Sequence, residues 1–242
     1  MARGFFITGT DTGVGKTVVT AALIRAFCVL GMRVAGMKPI ETGCRREGDV
    51  LYPSDGIVLR KAAEMHEAID EITPCCFEAP VAPFVASERE GRDVNVNSVI
   101  EKFNVLLKKY DAVLVEGAGG ILVPIRRDYF MIDLAREMGL PLIVVSSPSL
   151  GTINHTLLTV RHALREGITV SGIIVNFSKP PGGTMAEETN PDILRKISPV
   201  PLIGTLPYLA DLGYDALSQT ALGAIDTKQL LKELGWSQGT IK

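Results

Sequence analysis

The glycine-rich segment at residues 9–17 constrains the fold most, because it lies between an apolar run and a helical pattern. Its sequence, Gly-Thr-Asp-Thr-Gly-Val-Gly-Lys-Thr, ends in the Gly-Lys-Thr of a phosphate-binding loop, or P-loop. The usual spacing places the first glycine where this chain has Thr10, so the loop is the longer variant. Its N–H groups can surround phosphate oxygens, Lys16 can reach the β- and γ-phosphates, and the Thr17 hydroxyl can ligate Mg²⁺. The segment predicts a site for a nucleoside triphosphate with Mg²⁺.

Apolar runs alternate along the chain with segments of helical periodicity. The runs predict strands at residues 4–8, 33–37, 112–115, 141–146, 169–176 and 202–206. The periodic segments predict helices at residues 16–30, 54–65, 96–109, 129–138 and 152–165, between 176 and 202, and at 226–234. Continuous Val/Ile/Leu strands that alternate with helices are typical of a parallel sheet covered on both faces. The sequence predicts one P-loop NTPase-like α/β domain over residues 1–242, with a mostly parallel sheet, helices on both faces, and ligands at the carboxyl ends of the strands.

Local signals mark some of the predicted boundaries. Gly31 is expected to end the first helix, Ser54 and Asp55 to cap the second, and Asp226 to lie near the N-cap of the last. Residues 179–184 combine Pro with Gly and lack apolar anchors, which predicts a mobile loop.

The composition limits the classes of partner. Hydrophobic residues make up 46% of the chain and charged residues 21%, which is typical of a globular protein. The net charge of -2 gives no electrostatic reason to expect nucleic acid or an anionic membrane as partner. No apolar run is long enough to span a bilayer, and the first residues lack a signal-peptide core, so we expect a cytoplasmic protein.

The four cysteines have no C-x-x-C spacing; they are Cys28, Cys44, Cys75 and Cys76. They predict reduced thiols rather than a metal or redox centre, with Cys28 on the buried face of the first helix. Without a cluster of His and Cys ligands, zinc is not expected.

Three charged residues are placed near the ligand-bearing edge of the predicted sheet. Glu116 follows the strand at 112–115, where a P-loop fold places a second Mg²⁺-site group; the alternative is a solvated acid beside a glycine turn. Asp55 is a weaker metal candidate, because capping its own helix explains it nearly as well. Lys38 follows the strand at 33–37 and could hold the γ-phosphate and a substrate anion together, but residue type alone favours a surface lysine.

Several segments together resemble one family, dethiobiotin synthetase, over most of the chain. The specific signal is Thr-Asp-Thr before Val-Gly-Lys-Thr in the P-loop, combined with Val-Glu-Gly-Ala-Gly-Gly at 115–120 and Gly-Thr-Ile-Asn-His-Thr at 151–156. Further agreement is found at Lys38-Pro39, Thr42-Gly43, Asn176 and Pro207-Tyr208-Leu209. Thr42 stands where the family frequently has Ser, and Phe177 follows Asn176 where a polar residue is common.

The resemblance implies an ATP-dependent ligase of biotin biosynthesis. Its substrate, 7,8-diaminononanoate, forms a carbamate with CO₂, and ATP phosphorylates the carbamate to a carbamic–phosphoric anhydride. The other amine then closes the cyclic urea of dethiobiotin, and phosphate leaves. The resemblance implies catalytic roles for Lys38, Lys16 and Thr12, and Mg²⁺ binding by Thr17, Asp55 and Glu116. It implies ATP contacts by those two acids and by Asp11, Thr12, Gly13, Val14, Gly15, Lys16, Thr17, Gly117, Ala118 and Gly119, with Asn176, Pro207, Tyr208, Leu209 and Asp211 around the adenine and ribose.

The substrate contacts implied by the resemblance come from two chains of a homodimer. Thr12, Lys38 and Thr42 would bind the diamine or its carbamate. A helix N-terminus of the second chain would bind the substrate carboxylate through Gly151, Thr152, Ile153 and Asn154. Free N–H groups and the helix dipole suit a carboxylate. The residues alone favour a plain helix start, in which Asn154 and His155 satisfy local backbone groups.

Two alternatives stay open. A switch ATPase of the partition or division type would bind ATP, dimerise and recruit a partner, but such proteins typically carry an early loop lysine where this chain has Asp11 and Gly13. A related amide- or ring-forming ligase would keep the phosphate site and change Thr12, Thr42 and residues 151–154. Substrate-dependent ATP turnover separates the enzymes from the switch.

Overall fold

A parallel sheet forms the centre of the protein; the computed structural model describes residues 3–236. The strands are β1 (Gly4–Gly9), β2 (Val34–Met37), β3 (Ile40–Thr42), β4 (Arg45–Glu47), β5 (Val50–Tyr52), β6 (Cys75–Phe77), β7 (Ala112–Gly120), β8 (Pro124–Arg126), β9 (Tyr129–Phe130), β10 (Leu142–Ser146), β11 (Val170–Asn176) and β12 (Leu202–Leu206). The helices are α1 (Lys16–Val29), α2 (Ser54–Ala62), α3 (Ile69–Ile72), α4 (Pro83–Glu90), α5 (Val96–Lys109), α6 (Met131–Glu137), α7 (Thr152–Arg165), α8 (Met185–Ile197), α9 (Tyr214–Ala224) and α10 (Thr227–Glu233).

Six strands form the main sheet in the order β12-β11-β10-β1-β7-β2, and every neighbouring pair is parallel. In the middle of the sheet, Ile7 of β1 lies between Ile143 of β10 and Glu116 of β7. Because the strands run in one direction, the segments that follow them meet at a single edge. The P-loop follows β1 at that edge, so the residues after β2, β10 and β11 lie in the same region.

Hydrophobic clusters cover both faces of the sheet. Alternation along β1 places Phe5 and Ile7 in the cluster that includes α1, α2 and α9, whereas Phe6 belongs to the cluster that includes α5, α6 and α7. The predicted α/β class, with a mostly parallel sheet and helices on both faces, is confirmed.

Helix α5 illustrates how the sequence specifies these layers. Asn95 accepts a hydrogen bond from the Ser98 N–H at 3.1 Å and so caps the helix. The buried side chains then recur at helical spacing: Val96, Val99, Phe103 and Leu106. The predicted bounds, 96–109, agree with the structure because cap and periodicity are both local signals.

Some predicted boundaries are wrong because pairing between strands extends or replaces the predicted element, or because a neighbouring residue is the cap. The strand predicted at 112–115 continues as β7 to Gly120, which pairs with Gly9 after a register shift. The helix predicted at 129–138 begins as β9, which pairs with β8 before α6 starts. The second helix ends at Ala62, and its N-cap is Pro53, so neither Ser54 nor Asp55 caps it.

The local expectations for Gly31 and Asp226 are confirmed. Gly31 follows α1 with a φ of 88°, and Asp226 accepts a hydrogen bond from the Gln229 N–H at the start of α10. Cys28 was expected on the buried face of α1, but it is only half-buried there. Thr184 ends the irregular stretch before α8 and caps that helix. Within residues 3–236, no helix is long and apolar enough to cross a membrane.

Candidate active site

The P-loop turns from β1 into α1 through glycines with left-handed backbone conformations. Its start is tied to the sheet, since the Thr10 N–H donates to the Val145 carbonyl at 2.9 Å. At Gly15, φ is +85° and a Cβ would lie 2.1 Å from the Asn176 amide nitrogen. Asn176 Nδ2 donates to the Val14 carbonyl at 2.8 Å. A side chain at position 15 would therefore break the packing of the loop against the end of β11.

Lys16 is buried at the first turn of α1. It is 6% exposed, and its Nζ donates to the Asp11 carbonyl at 3.2 Å. Burial lowers the pKa of Lys16 to about 8, and the nearby Lys38 ammonium contributes to that shift. Within residues 3–236 no carboxylate is in hydrogen-bond contact with this ammonium group, which is therefore suited to receive an anion such as a phosphate.

Lys38 is held between two carboxylates. Its Nζ lies 2.6 Å from Glu116 Oε1 and 2.8 Å from Asp55 Oδ2. Lys38 is 4% exposed and Glu116 is 1% exposed, so the interpretations of a surface lysine and a solvated loop acid are both wrong. Burial by itself lowers the pKa of Lys38, but the two carboxylates outweigh it and hold that pKa above its ordinary value.

The donor set around Glu116 fits Mg²⁺. The Thr17 hydroxyl donates to Glu116 Oε1 at 3.0 Å, while the buried Oε2 has no hydrogen-bond partner within residues 3–236. A buried carboxylate oxygen without a hydrogen-bond partner is suited to bind a hard cation, or a water molecule that the cation holds. The described residues contain no group of three or more His, Cys, Asp or Glu able to hold a metal alone. Thr17, Asp55 and Glu116 would therefore share the ion with phosphate oxygens and water.

A cavity of about 470 Å³ extends from the P-loop, with Lys16, to Lys38. It brings together eleven of the predicted site residues: Thr12, Gly13, Gly15, Lys16, Thr17, Lys38, Thr42, Asp55, Glu116, Ala118 and Gly119. These residues come from the P-loop and the start of α1, from the segment after β2, from the second half of β7 and from the start of α2. Parallel strands that end at one edge thus assemble a charged cleft from distant parts of the chain.

Sequence reasoning missed two parts of this cavity. Glu41 lines it and is 4% exposed. Burial raises the pKa of Glu41, against the effect of the N–H groups of Asp55 and Gly56, which hydrogen-bond to its carboxylate. Residues 80–83, which lead into α4 and include its first residue, form a further wall. The only available signal for Glu41 was its position between Lys38-Pro39 and Thr42-Gly43, and residues 80–83 gave none.

The remaining predicted residues lie outside this cavity. A second cavity, of about 420 Å³, is lined by Asp11, Val14 and Thr152 together with Ser147 and His155. Gly117 is buried against Phe6. Of the remaining residues predicted to bind the substrate carboxylate, Gly151 and Asn154 are exposed and Ile153 is half-buried at the start of α7.

The predicted adenine region lies at the end of the sheet. Asn176 pairs with Leu206 at the ends of β11 and β12, so Pro207 follows directly beside it. Tyr208 is exposed and Leu209 packs against the core that includes α1. Asp211 is exposed and accepts a hydrogen bond from the Gly213 N–H at 2.8 Å.

Fold and site together define a P-loop nucleotide-binding protein. A family model described as an AAA domain matches residues 3–216. An ATP-dependent dethiobiotin synthetase of Thermodesulfovibrio yellowstonii is 47% identical over 96% of this chain and 99% of the relative. The enzymes of the same name from Bacillus subtilis strain 168 and Anaeromyxobacter strain K are 37% and 42% identical, over 96% and 92% of this chain and 99% and 96% of theirs. The chain belongs to the dethiobiotin synthetase family of ATP-dependent ligases.

Solved structures of cell-division proteins share the fold. The MinC:MinD complex of Aquifex aeolicus matches with a TM-score of 0.56 at 17% identity, over 98% of this chain and 97% of that one. The septum site-determining protein MinD of Pyrococcus horikoshii with Mg-ADP also gives 0.56, at 18% identity over 97% and 91%. At this identity the likeness concerns the fold alone. Family membership rests on the sequence relatives, and it decides against a switch ATPase.

Proposed function

We propose that the protein converts 7,8-diaminononanoate, CO₂ and ATP into dethiobiotin, ADP and phosphate. One amine of the substrate adds to CO₂ and loses a proton, giving a carbamate. A carbamate oxygen then takes the γ-phosphoryl group of ATP, and ADP leaves. The other amine attacks the carbon of this carbamic–phosphoric anhydride, the C–O bond to phosphate breaks, and the cyclic urea closes with loss of a proton.

The observation that carries the proposal is the cavity between Lys16 and Lys38. It puts a phosphate-binding loop and a second buried ammonium into one cleft. Lys38 is well suited to lie between the γ-phosphoryl group and the carbamate, because both groups are anionic. Thr12 and Thr42 line the same cavity and offer hydroxyl groups to the diamine or its carbamate.

The remaining residues of this cavity would hold the phosphates. The P-loop N–H groups and Lys16 would bind the β- and γ-phosphates and stabilise the charge of the phosphoryl group in flight. Mg²⁺, held by Thr17, Asp55 and Glu116, would supply a Lewis acid for the phosphate oxygens. No residue has to act as a nucleophile, so orientation of the two substrates carries much of the acceleration.

The nucleoside would lie on the outer side of the loop. Asn176 is held by its bond to Val14 and would contact the adenine, with Pro207, Tyr208, Leu209 and Asp211 around the purine and ribose. This placement agrees with the neighbouring ends of β11 and β12.

We also propose that two chains form a symmetric dimer with composite sites. Gly151, Thr152, Ile153 and Asn154 do not line the cavity of their own chain that contains Lys38. The adjoining Leu150 is 90% exposed, and Leu158 on α7 is 62% exposed, which favours contact with another chain. An isologous interface would bring the start of α7 to the substrate carboxylate of the neighbour.

The test is a single incubation of pure protein with Mg-ATP, isotopically labelled bicarbonate and 7,8-diaminononanoate. We expect label in a cyclic urea, with one ADP formed for each ring, and no product once a chelator removes Mg²⁺. Omission of the diamine is the control for ATP turnover that is not coupled to product. If ATP turnover is coupled to product formation with a different amine or carboxylate, and no product forms from 7,8-diaminononanoate, the protein is a related ligase instead.

A further inference from the structure

Glu41 is a buried acid at the cavity that has no role in the proposed reaction. It forms no ion pair within the described part of the chain. Its carboxylate instead accepts three hydrogen bonds from the first turn of α2. The donors are the Ser54 hydroxyl at 3.1 Å, the Asp55 N–H at 2.9 Å and the Gly56 N–H at 3.0 Å.

These bonds supply a cap that α2 does not provide for itself. The first N–H groups of a helix have no partner within it, and the N-cap residue Pro53 contributes no side-chain bond. A carboxylate at this end gains charge-assisted hydrogen bonds and a favourable interaction with the helix dipole. Glu41 therefore fixes the first turn of α2 to β3.

The turn that Glu41 fixes also carries Asp55. The side chain of Asp55 reaches Lys38 Nζ at 2.8 Å, and Lys38 precedes Glu41 by three residues. Asp55 is thus held at two points by residues 38–41. Glu41 binds its backbone N–H, and Lys38 binds its carboxylate. The Asp55 side chain is 36% exposed, so close packing does not hold it in place.

We propose that Glu41 is a positioning residue that acts through Asp55, by fixing α2 so that the Asp55 carboxylate faces Lys38 and the Mg²⁺ site. This inference rests on the proposed function, in which Asp55 contributes to that site. Loss of the cap lets the first turn of α2 shift, and Asp55 moves with it. The P-loop follows another strand and keeps its geometry.

The test compares two carboxylate-to-amide changes at helix N-termini. Glu41→Gln alters the cap of α2, and Asp226→Asn alters the cap of α10, away from the cavity. Electron paramagnetic resonance measures Mn²⁺ binding in the presence of a non-hydrolysable ATP analogue, and calorimetry measures binding of the analogue without metal. We expect Glu41→Gln to weaken Mn²⁺ binding about tenfold and binding of the analogue less than about twofold, as for residues that orient metal ligands. Asp226→Asn should leave both affinities unchanged.

A double-mutant cycle with Asp55→Asn tests the route of the effect. If Glu41 acts through Asp55, Glu41→Gln causes no further loss of Mn²⁺ affinity in the Asp55→Asn background. An additive further loss, or unchanged Mn²⁺ binding in Glu41→Gln alone, overturns the inference. Unchanged binding in Asp55→Asn overturns it together with the metal role of Asp55, whereas the proposed reaction is judged separately by label in the cyclic urea. If Glu41→Gln does not fold, Glu41→Asp keeps the charge on a shorter side chain and enters the same cycle.

Discussion

Individual residues of the cavity carry charges that are costly to bury alone. Lys38 is accommodated because Glu116 and Asp55 each contact its ammonium group. Among the described residues, Lys16 has no such carboxylate contact and donates to a backbone carbonyl, and burial lowers its pKa. The two lysines therefore differ in their readiness to bind an anion. The charge of Lys38 is already balanced by carboxylates, whereas the charge of Lys16 is balanced when an anion binds.

The change Lys16→Ala tests this difference at the level of one residue. We expect turnover to fall by about two orders of magnitude or more, because a charge directed at the β- and γ-phosphates is lost. Labelled cyclic urea and ADP are measured at saturating substrates. Circular dichroism should show an unchanged fold, since no other described side chain pairs with Lys16.

The matched control is Lys108→Ala, which removes an exposed lysine of α5 outside both cavities. Its turnover should equal that of the unaltered protein. A folded Lys16→Ala variant with near-normal turnover would contradict the assignment of the P-loop.

Helix α1 has a glycine in the left-handed region at each end, and the two differ in their surroundings. Gly15 precedes the helix with a φ of +85°, and its missing Cβ would meet Asn176. Gly31 follows the helix with a φ of +88°, and none of the described residues apart from its chain neighbours would lie within 4 Å of a Cβ there. The backbone requirement is therefore similar, while only Gly15 is also constrained by packing.

The changes Gly31→Ala and Gly15→Ala separate these two contributions. Gly31→Ala should lower the free energy of unfolding by about 1 kcal/mol, the cost of a left-handed alanine. Gly15→Ala should cost at least about 1 kcal/mol more, because Asn176 has to move and gives up its bond to Val14.

Urea unfolding followed by circular dichroism measures both costs, and calorimetry measures binding of an ATP analogue. Gly31→Ala should bind the analogue normally and Gly15→Ala should not. Equal unfolding costs with equal binding would show that Asn176 does not constrain the loop.

The whole molecule is expected to work as a pair of chains. The start of α7 lies outside the cavity that contains Lys38, so one chain alone leaves that cavity without the proposed carboxylate site. Gly151 has a φ of +95°, which makes any larger residue there strain the backbone. Asn154 is exposed and helical, so it is the better position for a blocking change.

Mixing two inactive variants tests the composite site. Lys16→Ala damages the phosphate site of its own chain, and Asn154→Trp blocks the carboxylate site given to the neighbour. In a mixed dimer one site receives both lesions and the other receives neither. We expect activity to return to about half the unaltered level per mixed dimer.

Mass spectrometry of differently tagged chains verifies that the mixed dimers form, and each variant by itself provides the baseline. If mixed dimers form without activity, the shared-site hypothesis is wrong and Gly151 and Asn154 only begin a helix.

Local sequence was sufficient for the P-loop and for most of the sheet. The loop at 9–17 has a spacing set by the phosphate chemistry itself, and strands such as β10 are short, nearly continuous apolar runs. Asp226 was recognisable because a cap bonds to groups within its own helix. These features depend on residues a few positions apart, and so they can be predicted without knowledge of any tertiary contact.

The tertiary structure alone decided which charged groups are buried and which of them meet. Lys38 belongs to the cavity because Glu116, 78 residues away, turns inward to pair with it. Asp55 was expected to cap its own helix, yet Glu41 supplies that cap from another strand and leaves the Asp55 carboxylate for Lys38. A buried charge is stable only where the fold brings its partner, and that partner lies too far along the chain for a local pattern to identify it.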